Sequence, residues 1–274
     1  MAHGISGYVD VGDGNLYYEV AGDGEPLVLS HAGFVDSRMW DDQWEAFAQH
    51  YRVIRFDMRG FGKSDRADAP IVRRDDLYHL LKHIGIERAT LLGCSMSGEI
   101  ILDIALEHPE LVAALVVVSA VPSGFELRGE PPRYLLEMMQ VIGQGDLARA
   151  SELQNRIWID GSFREPDQVD PQIRRRAAEM NRIALANGTL LNVDLSPLKP
   201  LDPPAVQRLT EVQVPVLIIV GELDDPEILR AADVMAAAIS GARKEIISNA
   251  AHLPNMEQPA PFNQIVLDFL HNRT

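Results

Sequence analysis

The chain has 274 residues, 46% of them hydrophobic, and a formal net charge of -15 at pH 7. That is enough apolar material for one large α/β domain carrying an insertion, and too much for a disordered chain. The negative charge repels phosphate backbones and anionic lipid, so neither nucleic acid nor a membrane is an expected partner.

In chain order, the opening MAHGISGYVDVGDG lacks a basic segment followed by an apolar run, so no secretory leader is expected. GYVDVGDG and LYYEVAGDG read as an antiparallel pair of strands joined at a Gly-Asp-Gly turn. PLVLSHAG is a near-continuous apolar run, the pattern of a strand buried on both faces. A helix is expected from Met39 to Gln49, then a strand in YRVIRFDMRG. RRDDLYHLLKHIGI has apolar residues at helical spacing. RATLLGCS is another buried strand, GEIILDIALEHPE a helix ending before Pro109, and LVAALVVVSA again a buried strand. Strict alternation of strand and helix predicts a parallel sheet with right-handed crossovers and helices on both faces.

From about Gly124 to Arg208 no strand is predicted. PPRYLLEMMQVI, DLARASELQNRIWI and PQIRRRAAEMNRIALANG are amphipathic, and prolines punctuate the run as far as LSPLKPLDPP. The alternation resumes with VPVLIIVGELDD, a helix from Pro226 to Ile239, the strand RKEIISNA and a last helix from Ala260 to His271. The expected division is a core of residues 1–124 and 208–274 and a helical cap of residues 125–207. The cap leaves the sheet at the carboxyl end of a strand, where open α/β sheets bind ligands, so it is expected to act as a lid. No run approaches the roughly eighteen uncharged apolar residues of a membrane span.

The chemistry centres on LLGCSMSGE, Leu91 to Glu99. It resembles the turn Gly-x-Ser-x-Gly that displays a nucleophilic serine between a buried strand and a helix. Residues two before and two after such a serine come close together and must be small. Gly93 meets this demand, and Ser97 stands where the second glycine is usual. Only Ser95 has the strand before it and the helix after it. A serine hydroxyl needs a base, and the base an orienting acid, here in the chain order serine, acid, histidine. The acid is expected just past a later strand, where VGELDD offers Asp224, with Asp225 in reserve and better suited to cap the helix that Pro226 opens. The base is expected one strand later, at His252. An oxyanion formed at the serine would need two backbone N–H donors, and Met96 and Gly33 are the candidates.

Together, HAGFVDSRMW, FDMRGFGKSD, GCSMSG, VPVLIIVGELD and AAHLPNMEQP resemble the α/β-hydrolase superfamily. More narrowly they are similar to its cofactor-free bacterial esterases, 3-oxoadipate enol-lactonases and non-haem haloperoxidases. The resemblance covers about residues 5–124 and 208–274 and none of the cap. It implies an eight-stranded, mostly parallel sheet with helices on both faces and an inserted helical cap. It also implies Ser95 as nucleophile, Asp224 as acid, His252 as base, and Gly33 and Met96 as oxyanion donors. Ala32, in place of the glycine usual after the loop histidine, is the second departure after Ser97. Epoxide hydrolases and dehalogenases of this fold carry aspartate at the Ser95 position, which argues against both.

The expected reaction is hydrolysis of a small-molecule carboxylic ester or lactone through an acyl-enzyme, with no cofactor or metal required. Phe34, Val121 and Leu253 adjoin catalytic positions and are expected to line the substrate pocket. Met138 and Trp158 join them from the cap, where Tyr134, Met139 and Met180 serve equally as pocket or as cap core. His79 and His83 have a metal-ligand spacing, but no third ligand is evident. The lone cysteine, Cys94, excludes an intrachain disulfide and reads as a small buried hydrophobe. A reducing, cytoplasmic setting is expected, and the sequence is compatible with a homodimer. The rival readings are a carbon–carbon bond hydrolase of aromatic ring-cleavage products, a perhydrolase, and a ligand-binding receptor on a hydrolase scaffold.

Overall fold

The fold is a computed structural model that describes residues 4–194 and 199–272. Eight runs form one sheet: β1 (Ile5–Asp10), β2 (Asn15–Ala21), β3 (Pro26–Ser30), β4 (Arg52–Phe56), β5 (Ala89–Cys94), β6 (Val112–Val118), β7 (Val216–Gly221) and β8 (Arg243–Ile247). Their order is β1-β2-β4-β3-β5-β6-β7-β8. The pairs β1–β2 and β2–β4 are antiparallel, and every other pair is parallel. All six residues of β5 and of β7 are buried, as central strands covered on both faces require.

Alternate residues of these strands feed two cores. Leu91, Leu115, Val117, Ile218 and Val220 face one side. There they join Leu80 of α2 (Arg73–His83), Ile101 of α3 (Met96–Glu107) and Met235 of α7 (Pro226–Ala238). Leu92, Val116, Val118, Leu217 and Ile219 face the other side. They join Phe47 of α1 (Asp41–Ala48) and Phe262 and Val266 of α9 (Pro259–His271). The register Leu92–Val116–Leu217 carries one apolar row straight across three strands. This is the architecture that the resemblance implies.

Between β6 and β7 the described residues contain helices and turns but no strand of the sheet. They include α4 (Leu135–Gly143), α5 (Leu147–Gln154) and α6 (Pro171–Ala186). Part of the proline-punctuated run, residues 195–198, lies outside the described residues.

Several elements differ from the sequence expectation. The helix expected from Met39 is a 3-10 turn, Ser37–Trp40, opened by the Asp36 side chain, before α1 begins. Helix α3 starts at Met96 rather than Gly98, because the elbow leads into it without a spacer. The cap run through Ile159 is not one helix: α5 gives way to a π-helical turn, Asn155–Asp160. A second π-helical turn spans Leu190–Asp194. A one-turn helix, α8 (Pro254–Glu257), follows His252 where no element was expected. Among the described residues no helix is long and apolar enough to cross a membrane.

Candidate active site

Ser95 is the single residue between β5 and α3, at φ 57° and ψ -120°. A residue with a Cβ reaches this region only when its surroundings enforce it. Here the Ser95 N–H donates to the Val118 carbonyl of β6 at 2.8 Å, and its own carbonyl accepts from Gly98 N at 2.9 Å. The turn is so tight that a Cβ on Gly93 would meet the Ser97 carbonyl oxygen at 2.4 Å. A Cβ on Gly98 would meet the Ala120 side chain at 2.3 Å. Ser97 points elsewhere and is fully buried. Its hydroxyl donates to the His31 carbonyl at 2.5 Å and accepts from Ser30 Oγ at 2.8 Å. The departure from glycine therefore ties the elbow to the loop after β3.

Two further loops converge on Ser95. The Glu222 and Leu223 N–H groups after β7 donate to the carbonyls of Ile247, at the end of β8, and Ala250, just past it, both at 2.9 Å. This stitching brings Asp224 beside His252. Asp224 accepts from His252 Nδ1 at 2.9 Å through Oδ1 and 3.1 Å through Oδ2. His252 Nε2 lies 2.8 Å from Ser95 Oγ. Both Asp224 and His252 are 2% exposed. With Nδ1–H committed to the carboxylate, Nε2 is the lone pair that faces the serine proton. Asp225 instead caps α7, accepting from Glu227 N at 2.8 Å. Glu222 is turned to Asn249 N, at 3.3 Å.

Gly33 and Met96 both border the same cavity as Ser95. The Met96 N–H belongs to the first turn of α3 and has no partner within the helix. Gly33 lies against Met96: a Cβ at Gly33 would be 3.3 Å from the methionine methyl group. His31, at the base of this loop, accepts from Met58 N at 2.9 Å and donates to the Ala32 carbonyl at 2.9 Å. Complete burial depresses its pKa, so it bridges two loops as a neutral ring.

The cavity has a volume of about 370 Å³. Phe34, Met96, Met138 and Trp158 line it, and so do Leu135, Leu136, Met139, Gln154, Leu190 and Asp194. Of the pocket residues expected from sequence, Val121 and Leu253 are not in this lining, and Leu253 is fully buried in the second core. Tyr134 and Met180 pack in hydrophobic clusters instead. The π-helical turn carries Trp158 out of the cap so that its ring lies 4.8 Å from that of His252 and 6.1 Å from that of Phe34. Leu135, Leu136, Gln154, Leu190 and Asp194 were not anticipated. Their signal in sequence is ordinary amphipathic helix, which does not tell a cavity wall from a cap surface.

Glu257, at the end of α8, accepts from Ala251 N at 2.8 Å and pairs with Arg164 of the cap at 2.7 Å. Burial raises its pKa to about 7 against the pull of Arg164. Cys94 is buried beside the His252 carbonyl, and burial raises its thiol pKa far above the usual value, which leaves it inert. His79 and His83 are exposed on α2. Among the described residues no group of three or more His, Cys, Asp or Glu is placed to hold a metal.

The chain matches the alpha/beta hydrolase fold family over residues 25–259. It is 28% identical over 275 residues to the carboxylesterase YbfK of Bacillus subtilis (strain 168), covering 96% of this chain and 86% of that protein. It is 26% identical over 290 residues to 2-hydroxy-6-oxo-6-phenylhexa-2,4-dienoate hydrolase of Comamonas testosteroni, covering 96% and 94%. Among solved structures it is similar to a hydrolase from Pseudomonas aeruginosa PA01, with a TM-score of 0.78, 26% identity and 97% and 98% of the two chains covered. With a matching sheet, a strained serine at the end of β5 and a family match across most of its length, the chain belongs to the alpha/beta hydrolase fold family.

Proposed function

We propose that the chain is a serine hydrolase of carboxylic esters or lactones, with residues 125–207 acting as a lid over the core. The observation that carries this is the hydrogen-bonded chain Ser95–His252–Asp224 opening into an apolar cavity of about 370 Å³. His252 Nε2 takes the proton as Ser95 Oγ attacks the carbonyl, and Asp224 stabilises the imidazolium. The N–H groups of Gly33 and Met96 receive the oxyanion. His252 returns the proton to the leaving alkoxide, then activates the water that releases the acid. Every step uses groups of this chain, with no call on a metal or cofactor.

The relatives include a carbon–carbon bond hydrolase of a dienoate, and that chemistry could use the same three residues. A dianionic substrate asks for free cations in the pocket. The described lining holds no Lys or Arg, and Arg73, just outside it, is already paired with Asp194 at 2.6 Å. The apolar lining favours a neutral ester. The test is hydrolysis of p-nitrophenyl acetate to octanoate by wild type and Ser95→Ala. Wild type should turn over, and the variant should lose at least about three orders of magnitude in kcat. Equal rates, or no turnover by wild type, would remove the reading.

A further inference from the structure

The imidazole of His252 is held at both nitrogens, Nδ1 by Asp224 at 2.9 Å and Nε2 by Ser95 Oγ at 2.8 Å. Both bonds run near the plane of the ring and oppose a tilt out of that plane only weakly. The cap supplies the missing support. The Trp158 indole packs against the imidazole with ring centroids 4.8 Å apart and planes 35° apart. The same indole stacks on Phe34, the neighbour of Gly33, at 6.1 Å and 29°. One side chain of the cap thus meets the loops of both His252 and Gly33. The backbone beneath it is fixed. Trp158 lies in the π-helical turn Asn155–Asp160, a wider winding than that of α5, which it continues. Such turns are rare and lie frequently at functional sites. Arg164 donates to the Ile159 and Asp160 carbonyls, and the fully buried Asp160 carboxylate pairs with Arg174 at 2.9 Å and Arg156 at 3.5 Å. A wall residue needs only bulk, whereas a residue that must meet one ring at one angle needs such a backbone.

We infer that Trp158 is a positioning residue for His252: its indole holds the imidazole in line between Asp224 and Ser95, and its aromatic face stabilises the imidazolium that forms as Ser95 gives up its proton. The inference rests on the proposed roles of Ser95 and His252, and not on which ester is cleaved. The proton passes from Ser95 Oγ to His252 Nε2, and Trp158 exchanges none. The imidazole is neutral before the attack and cationic during it, so its attraction to an aromatic face grows toward the transition state. An interaction of that kind raises kcat and leaves KM nearly alone. A residue that only walls the substrate pocket acts on KM instead.

The experiment compares wild type, Trp158→Phe and Trp158→Leu in two reactions. The first is labelling of Ser95 by an alkyl fluorophosphonate, which needs an activated serine but no particular ester. Trp158→Leu should label at least about tenfold more slowly than wild type, and Trp158→Phe, which keeps an aromatic face, should stay within about threefold. The second is hydrolysis of p-nitrophenyl acetate, whose acyl group is too small to lean on most of the cavity wall. There kcat should follow the same order, and KM should change by less than about threefold. Trp158→Met, apolar and unbranched, serves if the leucine variant does not fold. Labelling at one rate by all the proteins, or a leucine variant with raised KM and unchanged kcat, overturns the inference. Equal losses in the phenylalanine and leucine variants overturn it as well, because only one of them lacks an aromatic face. Ordered labelling by a protein that cleaves no ester of the series keeps the role of Trp158 and sinks the ester reading. Ester cleavage without the ordered rates does the reverse. A wild type that neither labels nor hydrolyses sinks both.

Discussion

The Ser97 hydroxyl links the elbow that strains Ser95 to the loop that carries Gly33. It joins the Ser30 hydroxyl to the His31 carbonyl, in a site with no exposure to water. A glycine there would leave both partners buried and unpaired, and would add backbone freedom to the first turn of α3. Ser97→Gly should therefore fold with a stability loss of about 1–2 kcal/mol. It should also stay active, with kcat on the ester series lower by about tenfold and KM little changed, since the loss falls on the Gly33 loop, the proposed oxyanion donor, rather than on the apolar pocket. A variant with wild-type kcat would show that the loop needs no such tie. The residues that the structure brings together around Ser95 carry strong local signals: small residues about a serine, a carboxylate just past one strand, a histidine just past the next. Gln154 carries none. In SELQNR it reads as a solvated polar position, and only its burial in the cavity wall distinguishes it.

Helices and turns of the cap are tied to the loop of His252 by one buried pair. Arg164 donates to the carbonyls of Ile159 at 2.7 Å and Asp160 at 3.0 Å, which end the π-helical turn that carries Trp158. Its guanidinium pairs with Glu257, and Glu257 in turn holds the Ala251 N–H next to His252. Arg164→Ala would leave a carboxylate with a 3% exposed side chain and no counter-charge. The expected cost is about 3 kcal/mol at alkaline pH. Glu257 already titrates at about 7, and without Arg164 it would hold its proton to higher pH still, so the cost should shrink as pH falls through neutrality. Urea unfolding of both proteins at about pH 6 and pH 8.5 reads this directly, and an equal cost at both would mean that Glu257 does not bury a charge. None of this linkage could be read from periodicity. The central strands were legible because continuous apolar runs of five to seven residues have few other uses. The π-helical turns and the four-residue α8 were not, because too few residues repeat in either to set a period.

At the scale of the molecule, burial raises six carboxyl groups among the described residues. Burial pushes Asp76, Glu99, Asp103, Asp160, Asp194 and Glu257 upward, and Glu99 and Glu257 reach about 7. Of the carboxylates shifted downward, Glu211 is exposed and screened by water, Glu227 is partly buried and held by Arg230 and the Arg128 N–H, and Glu19 is half-buried beside Tyr17 and Arg55. A raised carboxyl binds its proton more tightly in the folded chain than in the unfolded one, where it titrates near about 4.3. Between about pH 4.5 and 7 the folded chain therefore holds more protons, so stability is full below that window and declines as pH rises through it. The net charge of -15 adds self-repulsion in the same direction as these groups ionise. The melting temperature should thus fall from about pH 5.5 to pH 8. Glu99 isolates one contributor, since it sits in the first turn of α3, one turn before Asp103 whose charge repels it, and makes no ion pair among the described residues. Glu99→Gln should match wild type near about pH 5 and exceed it by on the order of 2 kcal/mol near pH 8. Parallel stability curves for the two proteins would show that Glu99 ionises as freely in the fold as in the unfolded chain.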